Sequence, residues 1–511
     1  MGTEEHYKRL PYAGRAHRLA HIDQMAMCAG LFSLPATPVR SARVLELGCA
    51  DGTNLINMAA YLPGSEFIGL DLFSGHIETG RETAAALSLH NVTLLCGDLC
   101  APPEELGTFD YILAHGVYSW VPKATREALL ALVRARLRPE GLALVSYNTE
   151  PGWSSRRPIR ELMLWHTRDL IGAAAEVAEA RAIVRLVREA QPDAASSRSR
   201  RLDAVLTELD AASDDYIYHE YLEPDNHPVW FHDFAQHAAS HGLQYVGEST
   251  FQAMLADRFD DQTRQALHQL GQNLVDFEQY LDFLCGRRFR SSLLTHHERD
   301  IDRTISLQPL LSLAFALPLD TPGEPDDDGG VTYTHRSHPD LTVRVTAPLH
   351  QETVAALAAC YPQALRFSEL VAHTSAVLGQ EADAVFQTTL ADLLMQLFRQ
   401  SAAELFSEPP PVTATISECP LAPPLLRRQA ARDQLICTPR HEMFRLNPLE
   451  AAVASRLDGR HSHEDLAIAL TPMLTTDNAP ELADLSPRDL ARQIVAQTLA
   501  RLARDGMLSP Q

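Results

Sequence analysis

Glu46, Gly48, Cys49, Ala50, Gly52 and Asn54 fall within one short stretch, where an apolar run opened by Val44 breaks into two glycines before helical spacing resumes. Further carboxylates stand at Asp71 and Asp98, each closing an apolar run, and a polar, aromatic segment containing His115, Tyr118 and Trp120 follows the next one. A glycine turn between a buried strand and a helix lets a ligand approach the backbone and offers it free N–H groups. An acid about 20 residues further on is placed to hold ribose hydroxyls, the role read for Asp71. Leu72 beside Asp71, and Leu99 beside Asp98, complete a pocket for a nucleoside, with Asp98 and Leu99 at the adenine. Singly, each carboxylate could be a strand-end cap; in this order they make a nucleoside site.

A dinucleotide would require G-x-G-x-x-G, so that the backbone could approach a pyrophosphate. The turn instead reads Gly48-Cys49-Ala50-Asp51-Gly52, with Glu46 ahead of it. Glu46 and Asp51 can offset positive charge, which suits the amino group and sulfonium of S-adenosyl-L-methionine. The E-x-G-x-x-x-G pattern resembles motif one of class I methyltransferases, with Ala50 where the middle glycine usually stands. The resemblance narrows at His115-Gly116-Val117-Tyr118-Ser119-Trp120-Val121-Pro122, at Tyr147-Asn148-Thr149-Glu150-Pro151-Gly152-Trp153 and at Phe283-Leu284-Cys285-Gly286-Arg287-Arg288-Phe289-Arg290. These segments are similar to bacterial methyltransferases with an appended regulatory region, a group that includes rickettsial-type protein lysine methyltransferases. The resemblance implies a protein or peptide substrate and lysine as the acceptor.

The elements that must position these residues follow from the pattern. Strands are expected at 43–47, 66–70, 92–96, 111–114 and 142–147, with helices at 54–62, 74–89 and 123–137 between them. Such alternation implies a doubly wound parallel sheet, whose ligands sit beyond the carboxyl ends of the strands. The fold class is therefore α/β, a Rossmann-like class I methyltransferase sheet with a helical insertion, followed by mainly helical, winged-helix-like domains. The expected divisions are a methyltransferase domain at 1–250, with the insertion at about 155–215 and a mobile link near Ser196 to Ser199. A helical regulatory segment at 251–317, a linker at 318–330, a middle winged-helix-like domain at 331–408, a linker at 409–424 and a C-terminal one at 425–511 follow. Ahead of the sheet, Tyr7 and Tyr12 precede an apolar stripe through Ile22, Met25, Ala26, Ala29 and Leu31. The tyrosines could cap a ligand.

Methyl transfer needs alignment and an uncharged nucleophile. Tyr118, Trp120, Tyr147 and Trp153 lie just past strands four and five, where their rings could sleeve an acceptor's alkyl chain. His115 and Asn148 are the candidates for polar work beside it, and His115 could either accept a proton or hold the cofactor. Two other functions remain open: a small-molecule or peptide methyltransferase, and a non-catalytic protein that senses the cofactor.

Composition excludes other classes. A net charge of −22 disfavours a sequence-independent nucleic-acid binder, and the expected recognition helices carry no basic stripe. No run of about 18 apolar residues occurs, so membrane insertion is not expected and the location is read as cytoplasmic. The eight cysteines form no C-x-x-C pair, and are read as reduced thiols. His237 and His241 lie one helical turn apart, near His232, but without an acidic or cysteine partner at ligand spacing no metal is expected. Arg287, Arg288 and Arg290 are read as internal salt-bridge formers. A homodimer is compatible with the sequence.

Overall fold

The computed structural model describes residues 9–10, 14–190, 197–432, 434–474 and 486–511. Tyr7, Tyr12 and Ser196 lie outside them.

The apolar stripe forms α1 (Ile22–Leu31). The chain then alternates through β1 (Arg43–Leu47), α2 (Thr53–Tyr61), β2 (Glu66–Asp71), α3 (Ser74–Ala86), β3 (Val92–Cys96), β4 (Phe109–Ala114), α4 (Lys123–Arg136) and β5 (Leu137–Asn148). Strands β1 and β4 read as apolar runs, each holding a single acid, Glu46 or Asp110, because both of their faces are covered. A helical insertion follows, α5 (Arg157–Thr167), α6 (Ala173–Glu189), α7 (Ser197–Ala211) and α8 (Asp214–Tyr221), packed around its own core of Ile159, Met163, Val177, Ala180, Leu206 and Tyr218. Residues 197–199, expected in a mobile link, are the first turn of α7.

The chain returns through α9 (Phe231–Ser240), β6 (Leu243–Glu248), α10 (Asp261–Leu270), α11 (Leu274–Cys285) and β7 (Phe289–His296). The sheet has seven strands in the order β3-β2-β1-β4-β5-β7-β6. Strands β1 to β5 pair in parallel, and β7 runs antiparallel between β5 and β6. The expected domain boundary at 250 therefore cuts through the sheet. Residues 289–296 were missed as a strand because the run of Arg287, Arg288 and Arg290 masks the alternation that follows it.

The middle module begins earlier than expected. It contains β8 (Ala314–Ala316), β9 (Val331–Thr334), β10 (Thr342–Val345), α12 (Pro348–Cys360), β11 (Leu365–Arg366), α13 (Phe367–Leu378), α14 (Ala384–Arg399) and β12 (Glu404–Phe406). Because β8 is the central strand of the β11-β8-β12 sheet, residues 318–330 are a loop inside this module and not a linker. Arg344 holds that loop through Asp326 at 3.0 Å and Asp328 at 2.5 Å. The C-terminal module has α15 (Pro424–Arg432), the hairpin β13 (Leu435–Cys437) and β14 (Met443–Arg445), then α16 (Pro448–Ala454), α17 (His463–Leu470) and α18 (Pro487–Arg504). Helix α1 lies between the sheet and the middle module: Gln24 donates to the Ser249 carbonyl at 2.8 Å, and Asp23 accepts from the Glu408 N–H at 2.7 Å.

The arginine cluster is internal, as expected. Arg290 is fully buried, with Glu248 at 2.6 Å, Asp282 at 2.8 Å and Glu278 at 2.9 Å, and its guanidinium lies 4.0 Å from the centre of the Phe231 ring. Arg287 adds a 3.0 Å contact to Asp282, and Arg288 meets Glu208 of the insertion at 3.1 Å. Removing one member of a buried ion cluster strands the others in a low-dielectric interior. Arg290→Leu is thus expected to cost about 3–5 kcal/mol in urea unfolding. The loss should be smaller at pH 5 than at pH 8, because burial already raises the Glu278 and Asp282 carboxyls and the stranded groups can take up protons.

Candidate active site

The turn after β1 is held open by its backbone. Gly48 has φ +69°, and a Cβ there would meet Val117 Cγ2 at 2.5 Å, so only glycine fits. Ala50, the departure from the expected glycine, has φ +48°, a left-handed conformation that a side chain opposes. Asp71 holds it there: one carboxylate oxygen accepts from the Ala50 N–H at 2.9 Å and the other from the Phe73 N–H at 2.9 Å. Each oxygen keeps a further lone pair for a ligand hydroxyl. Gly52, at φ +72°, is the N-cap of α2 and packs toward Leu94.

A cavity of about 660 Å³ opens along the carboxyl ends of β1 to β5. Glu46, Gly48, Cys49, Ala50, Asn54, Asp71, Leu72, Asp98, Leu99, His115, Trp120 and Asn148 all line it, as does Trp153. Four predicted residues do not, among them Asp51, whose carboxylate instead accepts from the Thr53 N–H at 3.0 Å. Gly52 shapes the turn from behind. Tyr118 is 3% exposed, set edge-on against Phe234, with its hydroxyl 2.7 Å from His237 Nδ1. Tyr147 is 1% exposed, stacked on Phe234, with its hydroxyl 3.0 Å from that of Ser292. Both corrections are geometric. Tyr118 and Trp120 share a single 3₁₀ turn, where residues two apart diverge, and neighbours on a strand such as Tyr147 and Asn148 face opposite sides.

The electrostatics fit a cationic nucleoside. Glu46 is 5% exposed; its Oε1 accepts from Asn54 Nδ2 at 2.9 Å, and its Oε2 has no hydrogen-bond partner among the described residues. Burial, helped by Asp51 and Asp71, pushes its carboxyl up to about 8. Burial beside His17, whose ring centre is 4.2 Å away, holds His115 well below the usual histidine range, so it stands neutral. His115 Nδ1 is also buried without a hydrogen-bond partner among the described residues. A buried polar atom left unpaired is costly, and two of them on the wall of one cavity call for a polar occupant.

Comparison with known proteins agrees with this geometry. The methyltransferase domain model matches residues 44–141, the predicted methyltransferase regulatory domain model residues 213–296, and the PKMT C-terminal winged helix domain model residues 418–507. Two uncharacterized proteins of Rickettsia prowazekii (strain Madrid E) are similar. One is 32% identical over 59% of this chain and 54% of its own length, the other 31% identical over 45% of this chain and 93% of its own. The chain belongs to the PKMT-type methyltransferases. The structure of PKMT2 from Rickettsia typhi superposes with a TM-score of 0.88 at 25% identity, over 98% of this chain and all of that one. The same protein in complex with AdoHcy gives a TM-score of 0.87. This PKMT-type methyltransferase thus spans about half the length of the first curated relative.

The PKMT-type site also draws on residues that sequence reasoning did not select. Arg15 and His17 come from the segment before α1, Phe289 from the start of β7 and Arg288 from just ahead of it. The insertion supplies Tyr216, His219 and Glu220 from α8, whose alternation of acids and aromatics was the one available signal. Arg156 crosses the wall, lying 5.2 Å from the Trp153 ring centre and pairing with Glu208 and, at 3.9 Å, with Glu220. Elsewhere, the acid that His237 and His241 were expected to lack is present: Glu127 of α4 lies 3.0 Å from each.

Two outcomes are expected. A cation seated against Glu46 displaces its proton, so affinity for S-adenosylmethionine should rise as pH climbs toward about 8, by up to about tenfold per unit, and level off above it. Calorimetric titration between pH 6 and 9 measures this, and Glu46→Gln should flatten the profile. Ala50→Gly relieves the left-handed strain and should stabilise the fold by about 0.5–1 kcal/mol, read from urea unfolding.

Proposed function

We propose that this protein transfers methyl groups from S-adenosylmethionine to lysine side chains of a protein or peptide substrate. The observation that carries the reading is the continuity of one cavity from the Gly48 turn to Trp120, Trp153 and the half-buried acid Glu220. Glu46, Gly48, Cys49, Ala50, Asn54, Asp71, Leu72, Asp98, Leu99 and His115 are the residues assigned to the cofactor, with Gly52 shaping the turn. PKMT2 from Rickettsia typhi, solved with AdoHcy, lends support.

The bound cofactor supplies an electrophilic methyl group. The chain's own residues must strip water from an amine, hold it in line and take its proton, because a lysine is normally charged up to a pKa of about 10.4. Trp120 and Trp153 meet edge to face with ring centres 6.3 Å apart, a wall that accepts an alkyl chain and favours a cationic head by about 0.5–2 kcal/mol per ring. Glu220 is the proposed proton acceptor: burial pushes its carboxyl up to about 7, despite the opposing pull of Arg156. His115, held neutral far below that range, is assigned to the cofactor and not to proton transfer. Asn148 is fixed by its N–H, which donates to Ser119 Oγ at 2.8 Å, and is assigned to orienting the amine.

The C-terminal modules are assigned to substrate docking and not to DNA. On α18, Arg488 and Arg492 both pair with Glu464, Arg501 with Glu450, and Arg504 with Asp505, so these cations are answered within the module. No described helix is long and apolar enough to cross a membrane; a cytoplasmic location is part of the proposal. A homodimer is too, placed on the insertion where Trp165, Ile171 and Leu186 stand exposed.

Incubation with labelled S-adenosylmethionine and a lysate of the producing organism, followed by mass spectrometry, should place label on lysine side chains of particular proteins. Label confined to small molecules would refute the lysine assignment. Trp120→Ala should lower kcat/KM about 2- to 30-fold with cofactor affinity retained. For the parent, kcat should rise with pH through about 7, and Glu220→Gln should remove that limb.

A further inference from the structure

Helices α4 and α9 lie side by side on one face of the sheet, sharing a core that includes Leu129, Leu130, Val133, Phe231, Phe234 and Ala238. At the solvent edge of this contact, Glu127 from α4 meets His237 and His241 from the last turn and C-cap of α9. Residues four apart on a helix share a face, so both imidazoles are aimed at the same carboxylate. The three side chains can bring one nitrogen or oxygen each to within 4.8 Å of one another. Their exposures, 44% for Glu127, 18% for His237 and 19% for His241, leave the carboxylate side open to water.

The detail that separates this cluster from an ordinary carboxylate with two hydrogen-bond donors is at His237. Its Nε2 is 3.0 Å from Glu127 Oε2, yet it is buried and the contact does not have hydrogen-bond geometry. Its other nitrogen, Nδ1, is 2.7 Å from the Tyr118 hydroxyl. In the tautomer that a metal at Nε2 requires, with the proton on Nδ1 and donated to Tyr118, Nε2 presents a bare lone pair to an anionic oxygen. Two lone pairs at that separation repel unless a cation lies between them. A metal-binding histidine commonly has this arrangement, one nitrogen on the ion and the other N–H held by an oxygen behind it. Around a tetrahedral ion with bonds of about 2.0–2.2 Å, ligand atoms stand roughly 3.3 Å apart, close to the separations here.

We infer that Glu127, His237 and His241 form a site for one divalent ion of the zinc class, with water completing the coordination. Two imidazoles and one carboxylate favour zinc or a neighbouring transition ion over magnesium or calcium, which prefer oxygen ligands. The ion clamps α4 to α9. Through His237 and Tyr118 it also buttresses the Tyr118–Trp120 turn, whose tryptophan lines the active-site cavity. The ion is structural: Tyr118 separates it from the cavity, and it takes no part in methyl transfer. The site stands whether or not lysine is the acceptor.

The test uses the full chain, stripped with a chelator, dialysed and titrated with Zn²⁺, with metal content counted by mass spectrometry and Co²⁺ used as a visible-absorption probe. One equivalent per chain is expected, with the Co²⁺ protein showing the visible bands of a tetrahedral nitrogen and oxygen site. Glu127→Gln, at an exposed position, should keep the circular dichroism of the parent and lose about tenfold or more in Zn²⁺ affinity, and His241→Gln should do the same. A parent that binds no equivalent, or variants that bind Zn²⁺ as tightly as the parent, would overturn the inference. The chain has 22 histidines, so retention by both variants would place the ion elsewhere.

Discussion

A carboxylate buried at the end of the first strand must be kept in company, and one amide does this for the whole molecule. Asn54 donates to Glu46 from its nitrogen; its oxygen accepts from the His17 N–H at 3.2 Å and lies 2.7 Å from His441 Nε2. The first strand, the segment before α1 and the hairpin region of the last module therefore converge on a single side chain. His441 is buried, and burial with nearby histidines holds it well below the usual range, so it meets Asn54 uncharged. Its neighbour Arg440 is buried as well, pairing with Glu404 of the middle module, which Arg18 also reaches at 2.6 Å. The modules after the sheet thus back the turn after β1 directly. Whatever fills the cavity and relieves Glu46 acts on the contact that ties the chain's two ends together.

Charge is handled by the same internal logic. An acidic chain with 44 basic residues can place them on its surface or lock them inside. Here many of the arginines lie across contacts between elements. Arg290 gathers carboxylates from β6 and α11, Arg288 reaches the insertion, and Arg399 binds Asp257 at 2.7 Å to join the middle module to the sheet domain. Guanidinium forks suit such crossings, since they satisfy several acceptors from one fixed plane.

How much of this was legible depended on whether the pattern was local. The β1 turn, Asp71 and Asp98 were readable because each sits at the end of an apolar run, and thirteen of the predicted site residues do share one cavity. Orientation within a short element was less visible: Tyr118 and Tyr147 were selected for type, but turn geometry and strand alternation bury them. Module limits failed where a strand joins a sheet far from its neighbours in sequence, as β7 and β8 do. The residues missed altogether, among them Arg15, His17, Glu220 and Phe289, reach the cavity through long-range packing that no local period announces. The same holds for Glu127, which lies more than a hundred residues from the histidines it meets.

The position of β7 also fixes an order of events. Among the described residues strand β6 has β7 as its sole neighbour in the sheet, so when it leaves the ribosome this partner is still to come. It must wait for residues 289–296, and the acids Glu248, Glu278 and Asp282 wait with it for the Arg290 guanidinium, which alone reaches all three. Local hairpins close early and distant pairings close late. Completion of the sheet and full neutralisation of its buried acids therefore arrive together, with Arg290, and a nascent chain halted before Arg287 would carry an unpaired strand edge and three carboxyls without either guanidinium.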